Sequence, residues 1–175
     1  MQNRTFEFSI AVAAIFCFGA LTGPGVALGA GAKSPKEFVS DAIKGDNSEI
    51  EMGQLAESKG TSQQVKAFGR TLATDHETAK TEMTNIASEV GADVPTGTKP
   101  EAKKMKEKLS GLSGARFDRE FAEAMVKDHE KDIAEFKAEA EAKNGPASDV
   151  AAKQLPVLQK HLEAARAIQT AGSKQ

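Results

Sequence analysis

The chain has 175 residues, with 23 Lys and Arg against 25 Asp and Glu for a formal net charge of −2, and 39% of its residues are hydrophobic. That is enough apolar material for one packed domain and no surplus for a second. The absence of a basic excess, of Trp and of Tyr argues against nucleic acid as a partner, and a single Cys excludes both a disulfide framework and a cysteine-rich zinc site.

In chain order, residues 1–32 come first and read as a secretory signal peptide. Arg4 supplies a short basic start, and Phe8 to Leu21 is an apolar run too short to span a bilayer comfortably. Small residues follow and end in Ala30-Gly31-Ala32, an A-x-A cleavage pattern. Cleavage after Ala32 is expected; an uncleaved N-terminal anchor is the alternative. Removal takes Cys17 away and leaves a cysteine-free domain over residues 33–175, which suits an oxidising compartment. The expected location is therefore the periplasm or cell envelope, with peripheral association to it.

The rest of the chain divides into four helices. The first opens at Ser34-Pro35-Lys36-Glu37, a capping box with proline at the first helical position, and runs to about Lys59 before Gly60. The second opens with Thr61-Ser62-Gln63-Gln64, read as a second capping box, and runs to about Val90 before Gly91. A loop over 91–98 leads to a short charged helix from Pro100 to Leu109. The third helix runs from about Ser113 to Lys143, Asn144-Gly145-Pro146 stops and restarts the chain, and the fourth runs to about Gln169, with a kink or break expected at Pro156. No stretch alternates with period two, so the class is all-α. Tight connections make helices 1 and 2, and helices 3 and 4, antiparallel hairpins. The long middle connection, 91–112, can cross the length of a bundle. Two hairpins with a long crossover form the ferritin-like four-helix arrangement; simple up-down-up-down order is the alternative.

Polar residues on the apolar stripes carry the chemical signal. All three histidines fall on such stripes: His76 among Phe68, Leu72 and Met83, His129 with Asp132 among Phe121, Met125 and Phe136, and His161 beside Leu158 and Leu162. Asp46 and Glu49 intrude on the stripe of helix 1. His76 lies 16 residues after Gly60 and Asp46 lies 14 before it, while His129 and His161 lie 16 on either side of Gly145. Positions equidistant from a hairpin turn sit side by side, so both hairpins converge on one layer. A shift of 85 residues maps His76 onto His161 and a shift of 83 maps Glu49 onto Asp132, a faint internal repeat. A divalent metal would offset the cost of burying such groups by taking carboxylate oxygens and neutral imidazole nitrogens as ligands. The candidate metal ligands are His76, His129, His161, Glu49 and Asp132, holding one transition metal ion such as zinc, copper or iron. The competing reading is a metal-free polar layer in which the histidines hydrogen-bond Glu49, Asp132, Asp75 or Asp128. Met52, Met83, Met105 and Met125 are dispersed and read as packing material, and the run Lys103–Lys108 reads as a solvated surface. No phosphate loop, serine-nucleophile elbow or H-E-x-x-H motif occurs, so no catalytic residue is assigned.

Several segments resemble a known family. They are Ser48-Glu49-Ile50-Glu51-Met52-Gly53-Gln54-Leu55-Ala56, Val65-Lys66-Ala67-Phe68-Gly69 and Asp75-His76 in the first half. In the second half they are Phe117-Asp118-Arg119-Glu120-Phe121, Met125-Val126-Lys127-Asp128-His129-Glu130 and Leu155-Pro156-Val157-Leu158-Gln159-Lys160-His161-Leu162. Over about residues 35–170 the chain is similar to the bacterial domain-of-unknown-function family four-one-four-two, whose members are often labelled outer membrane proteins. The resemblance implies a ferritin-like fold and export, and supplies no activity. The residues three before His76, His129 and His161 are Ala73, Val126 and Leu158, so the Glu-x-x-His signature of di-iron centres is missing. A mononuclear, histidine-rich site is expected instead. The leading reading is a non-enzymatic exported envelope protein of undetermined function with a His/carboxylate metal-binding layer. A metalloenzyme acting on oxygen species or small molecules, and a purely structural or interaction bundle with a buried polar layer, are the alternatives.

Overall fold

A computed structural model describes residues 33–172; the expected signal peptide, 1–32, lies outside the described residues. Five helices follow one another: α1 (Pro35–Lys59), α2 (Gln63–Ala87), α3 (Pro100–Ser110), α4 (Gly114–Ala142) and α5 (Pro146–Gly172). There is no strand among the described residues. α1 packs chiefly on α2, and α4 on α5.

Cross-hairpin contacts fix the directions. Lys33 pairs with Glu135 at 2.9 Å and Phe38 meets Phe136 edge-on with centroids 5.0 Å apart, while Lys106 at the far end of α3 reaches Glu51 at 2.8 Å. On the other side Asp75 pairs with His161 and Glu82 with Lys153. The start of α1 lies by residues 135–136 of α4, while Thr61 and Ser62, just past its end, bond Asp118 at the start of α4, so α1 runs antiparallel to α4. In the pairs of α2 with α5 the numbers rise along one helix as they fall along the other, so these two are antiparallel as well. With α1 and α2 antiparallel, α2 and α4 are parallel, joined by the long connection that carries α3. This is the ferritin-like order, not up-down-up-down.

Local chemistry explains the helix ends. Ser34 Oγ accepts from the Glu37 amide and the Glu37 carboxylate accepts from the Ser34 amide, the expected capping box. The second start differs from the sequence reading. Ser62, not Thr61, is the N-cap, accepting from the Val65 amide, and the amides of Thr61 and Ser62 both donate to the Asp118 carboxylate of α4 at 2.8 Å. A side chain from the other hairpin thus replaces the glutamine of a capping box. α-Helical geometry in α2 ends at Ala87, short of the expected Val90. The chain then tightens, Gly91 adopts φ 66°, and the amides of Gly91 and Ala92 close back on the carbonyls of Ser88 and Ala87. α5 runs unbroken through Pro156, where a kink or break was expected. Pro156 and Ala152 are both exposed, so the carbonyl that loses its donor faces water.

Two glycines set the closeness of α1 and α2. A Cβ on Gly69 would lie 2.5 Å from the Gly53 carbonyl oxygen, and one on Gly53 would lie 2.5 Å from the Gly69 carbonyl oxygen. Backbone touches backbone there, which draws the two helices together one layer away from His76. Apolar side chains form two clusters along the bundle. One contains Phe68, Leu72, Phe121 and Met125, the other Phe38, Ile43, Met83 and Phe136. The polar residues of the stripes fill the layer between them.

Candidate metal centre

The three histidines arrive from three helices: His76 from α2, His129 from α4 and His161 from α5, all buried. One ring nitrogen of each lies within 4.8 Å of one from each of the other two. Ring centroids are 5.3 Å apart for His76–His161 and His129–His161 and 6.0 Å apart for His76–His129. The spacing argument from the two hairpin turns therefore holds, including the predicted level of Asp46, whose carboxyl meets His76 Nδ1 at 2.9 Å.

Each ring is anchored on its outer nitrogen. His129 Nδ1–H donates to the Met125 carbonyl at 3.0 Å, and His161 Nε2–H donates to the Asp75 carboxylate at 2.9 Å. A carbonyl oxygen can only accept, so neutral His129 carries its proton on Nδ1 and presents a bare Nε2. By the same reasoning His161 presents a bare Nδ1. These two nitrogens face each other at 3.4 Å. Two lone pairs cannot hydrogen-bond, and only a proton or a cation between them makes the approach favourable. His76 Nε2, the ring's free nitrogen, is buried with no hydrogen-bond partner.

Burial keeps the rings neutral. It pushes His76 down to about 4, and it pushes His129 down to about 3, with the flanking imidazoles adding to the effect. Burial also lowers His161, against the pull of Asp75. Asp46 is pushed well above the usual carboxyl range by burial, and its Oδ2 has no partner. Neutral imidazoles are the form that ligates metal.

The two expected acidic ligands stand elsewhere. Neither Glu49 nor Asp132 belongs to the three-nitrogen group. Glu49 is buried and its pKa is raised well above the usual value, first by burial and then by the neighbouring charge of Asp128. Its neighbour Asp128 is held low despite burial, first by Glu49 and then by the charge of Lys99. Asp132 is pushed up to about 6 by burial, against the opposing charge of Lys99, whose Nζ sits 3.4 Å away. Lys99 is delivered by the crossover. Asn47 Nδ2 donates to the carbonyls of Pro95 and Gly97, and the Lys99 amide donates to Ser48 Oγ, strapping that segment to α1. Gly45 leaves room for the ammonium; a Cβ there would lie 3.1 Å from Nζ. An internal cation therefore occupies the acidic side of the layer, and the carboxylates that support the histidines are Asp46 and Asp75. Both were visible as polar residues near the stripes, but spacing along one helix does not say which acid faces which ring.

Two hollows border the layer. One, of about 170 Å³, reaches His76 and His161. The other, of about 250 Å³, lies by Glu49 and Asp128 and is lined by Met52, Met105 and Met125, so three of the methionines dispersed in sequence converge in space.

The family model described as "Domain of unknown function (DUF4142)" matches residues 23–168. No curated protein matches the chain. Among solved structures, the crystal structure of a DUF305 fragment from Deinococcus radiodurans is similar with a TM-score of 0.66 at 13% identity, covering 81% of this chain and 97% of that one. At that identity the likeness speaks to the fold alone.

Proposed function

The chain belongs to the DUF4142 family, a domain of unknown function, and from the site itself we propose that it is a metal-binding protein holding one divalent transition metal on His76, His129 and His161. The observation that carries this reading is the convergence of three ring nitrogens, the bare pair of His129 and His161 at 3.4 Å and one of His76 within 4.8 Å of them. A metal–nitrogen distance near 2.0–2.1 Å places ligand nitrogens roughly 3.3–3.6 Å apart. His129 and His161 are already at that spacing, and His76 is within about 1.5 Å of it by the same geometry. Outer-nitrogen bonds to Asp46, Asp75 and the Met125 carbonyl are the support that ligating histidines receive in metal sites, fixing tautomer and ring orientation. Beyond the rings lie the carboxyls of Asp46 and Asp75, and a bound divalent ion would favour the ionised form of Asp46 against the burial that raises it. Three neutral imidazoles favour zinc or copper(II) over iron, whose mononuclear sites commonly include a carboxylate ligand.

The test is a titration of the metal-stripped protein, residues 33–175, with Zn²⁺ and with Cu²⁺. One equivalent should bind, and the His76→Ala/His129→Ala/His161→Ala variant should bind less than a tenth of one. Equal binding by the two proteins would remove the proposal. We further propose that the protein acts in the periplasm or cell envelope after cleavage at Ala32. An envelope-purified chain whose N-terminus is Lys33 would support this, and a cytosolic chain beginning at Met1 would end it.

A further inference from the structure

We propose that the hollow beside the imidazole layer is the binding pocket for a second ligand: a small uncharged molecule that presents a lone-pair donor to the metal and seats its apolar part away from it. This rests on the three-histidine reading and adds to it an open coordination position.

The two sides of the layer differ. Towards one end of the bundle the rings abut packed side chains, with Phe68 6.1 Å from His161 and Leu72, Phe121 and Met125 filling the interior. Towards the other end lies the hollow of about 170 Å³. Apart from Lys99 of the crossover, its lining residues come from all four bundle helices and fall on one axial side of the layer: 38–46 on α1, 75–82 on α2, 132–136 on α4 and 153–161 on α5. It therefore lies along the bundle between the histidines and the second apolar cluster. Three ligands drawn from α2, α4 and α5 lie around the bundle axis, and the direction left open on the hollow's side runs along that axis. His76 and Asp46, each with a buried atom lacking a hydrogen-bond partner, both line it.

Size and charge specify the guest. A hollow of about 170 Å³ compares with the apolar cavity of roughly 150 Å³ that takes up a benzene ring, so it suits a molecule of about six non-hydrogen atoms. Phe38, Ala42, Phe136 and Leu158 form the apolar wall. Six carboxyl side chains line it against the two ammonium groups of Lys99 and Lys153, an acidic surround that disfavours an anion.

Cobalt(II) loaded into the protein at the three histidines, followed by its visible absorption, tests this with imidazole and azide as probes. Imidazole should shift the cobalt bands saturably with cobalt still bound after gel filtration, and azide should need at least tenfold higher concentration. Ala79→Phe, which fills the hollow, should keep cobalt and weaken the imidazole response at least tenfold. Bands indifferent to imidazole, stripping of the cobalt, or a stronger response to azide would each overturn the proposal, and the wild-type titration decides these without the variant. An unchanged imidazole response in a cobalt-loaded Ala79→Phe protein would overturn it as well. Failure of cobalt to bind at all would instead strike the three-histidine reading on which it rests.

Discussion

Replacing His129 with Leu should stabilise the metal-free protein. His129 is fully buried, and its Nε2 faces the Nδ1 of His161 at 3.4 Å with no proton between them. Leaving a buried polar atom unsatisfied costs about 1–3 kcal/mol, whereas the bond from Nδ1 to the Met125 carbonyl contributes about 1 kcal/mol. That carbonyl also accepts the amide four residues on within α4, so losing the ring does not orphan it. A leucine of similar bulk adds about 1 kcal/mol of apolar burial. At the middle of these ranges the sum favours the variant by about 2 kcal/mol, a rise in melting temperature of roughly 4–8 °C for a domain of this size. Zinc should reverse the order. At a free concentration 100 times the dissociation constant it stabilises the wild type by about 2.7 kcal/mol and the two-histidine variant by far less. The assay is thermal or urea unfolding at neutral pH, in chelator and in zinc. A loss of 1 kcal/mol or more for His129→Leu in chelator would mean that the inner nitrogen is satisfied without metal, and the argument from facing lone pairs would fall.

Asp46→Asn and Asp75→Asn should each weaken zinc binding by about 10- to 100-fold while leaving the stoichiometry at one, because these residues orient and polarise the rings without ligating; calorimetric titration reads this, and unchanged affinity would show that the outer anchors do not matter. Gly69→Ala should cost at least about 2 kcal/mol in urea unfolding, since its methyl would meet the Gly53 carbonyl at 2.5 Å and backbone cannot step aside cheaply; a neutral outcome would mean that α1 and α2 separate freely. Glu49→Gln tests the buried proton. Glu49 has a folded-state pKa above its unfolded value, so its contribution to stability is fully present below about pH 4.5 and is lost as pH rises through the folded value. An amide removes that loss. The stability of the variant relative to the wild type should therefore be higher at about pH 8 than at about pH 5, by up to about 1.4 kcal/mol per pH unit across the titration, and a pH-independent difference would show Glu49 ionised throughout.

The helices were legible because local rules fix them. Ser34 to Glu37, the glycines at 60 and 91, and the 3.6-residue recurrence of apolar side chains act within a few residues of themselves, and the structure follows them with shifts of a turn or less. The shared level of the three histidines was legible too, because equal distances from a hairpin turn bring residues abreast whatever else the chain does. Glu49 and Asp132, expected as ligands, fall outside the three-nitrogen group for a different reason. Periodicity says that a side chain points inward and is silent on which inward neighbour it meets. That choice depended on the parallel course of α2 and α4, on the packing of α2 against α5 that sets Asp75 on His161, and on the crossover that brings Lys99 to Asp132 from 33 residues away. The sequence by itself determined helices, stripes and the polar layer, since these follow from hydrogen bonds and solvent exclusion within single elements. Only the tertiary structure decided which nitrogens are bare, which carboxyls support them and which side of the layer is open, because each is a relation between side chains on different helices.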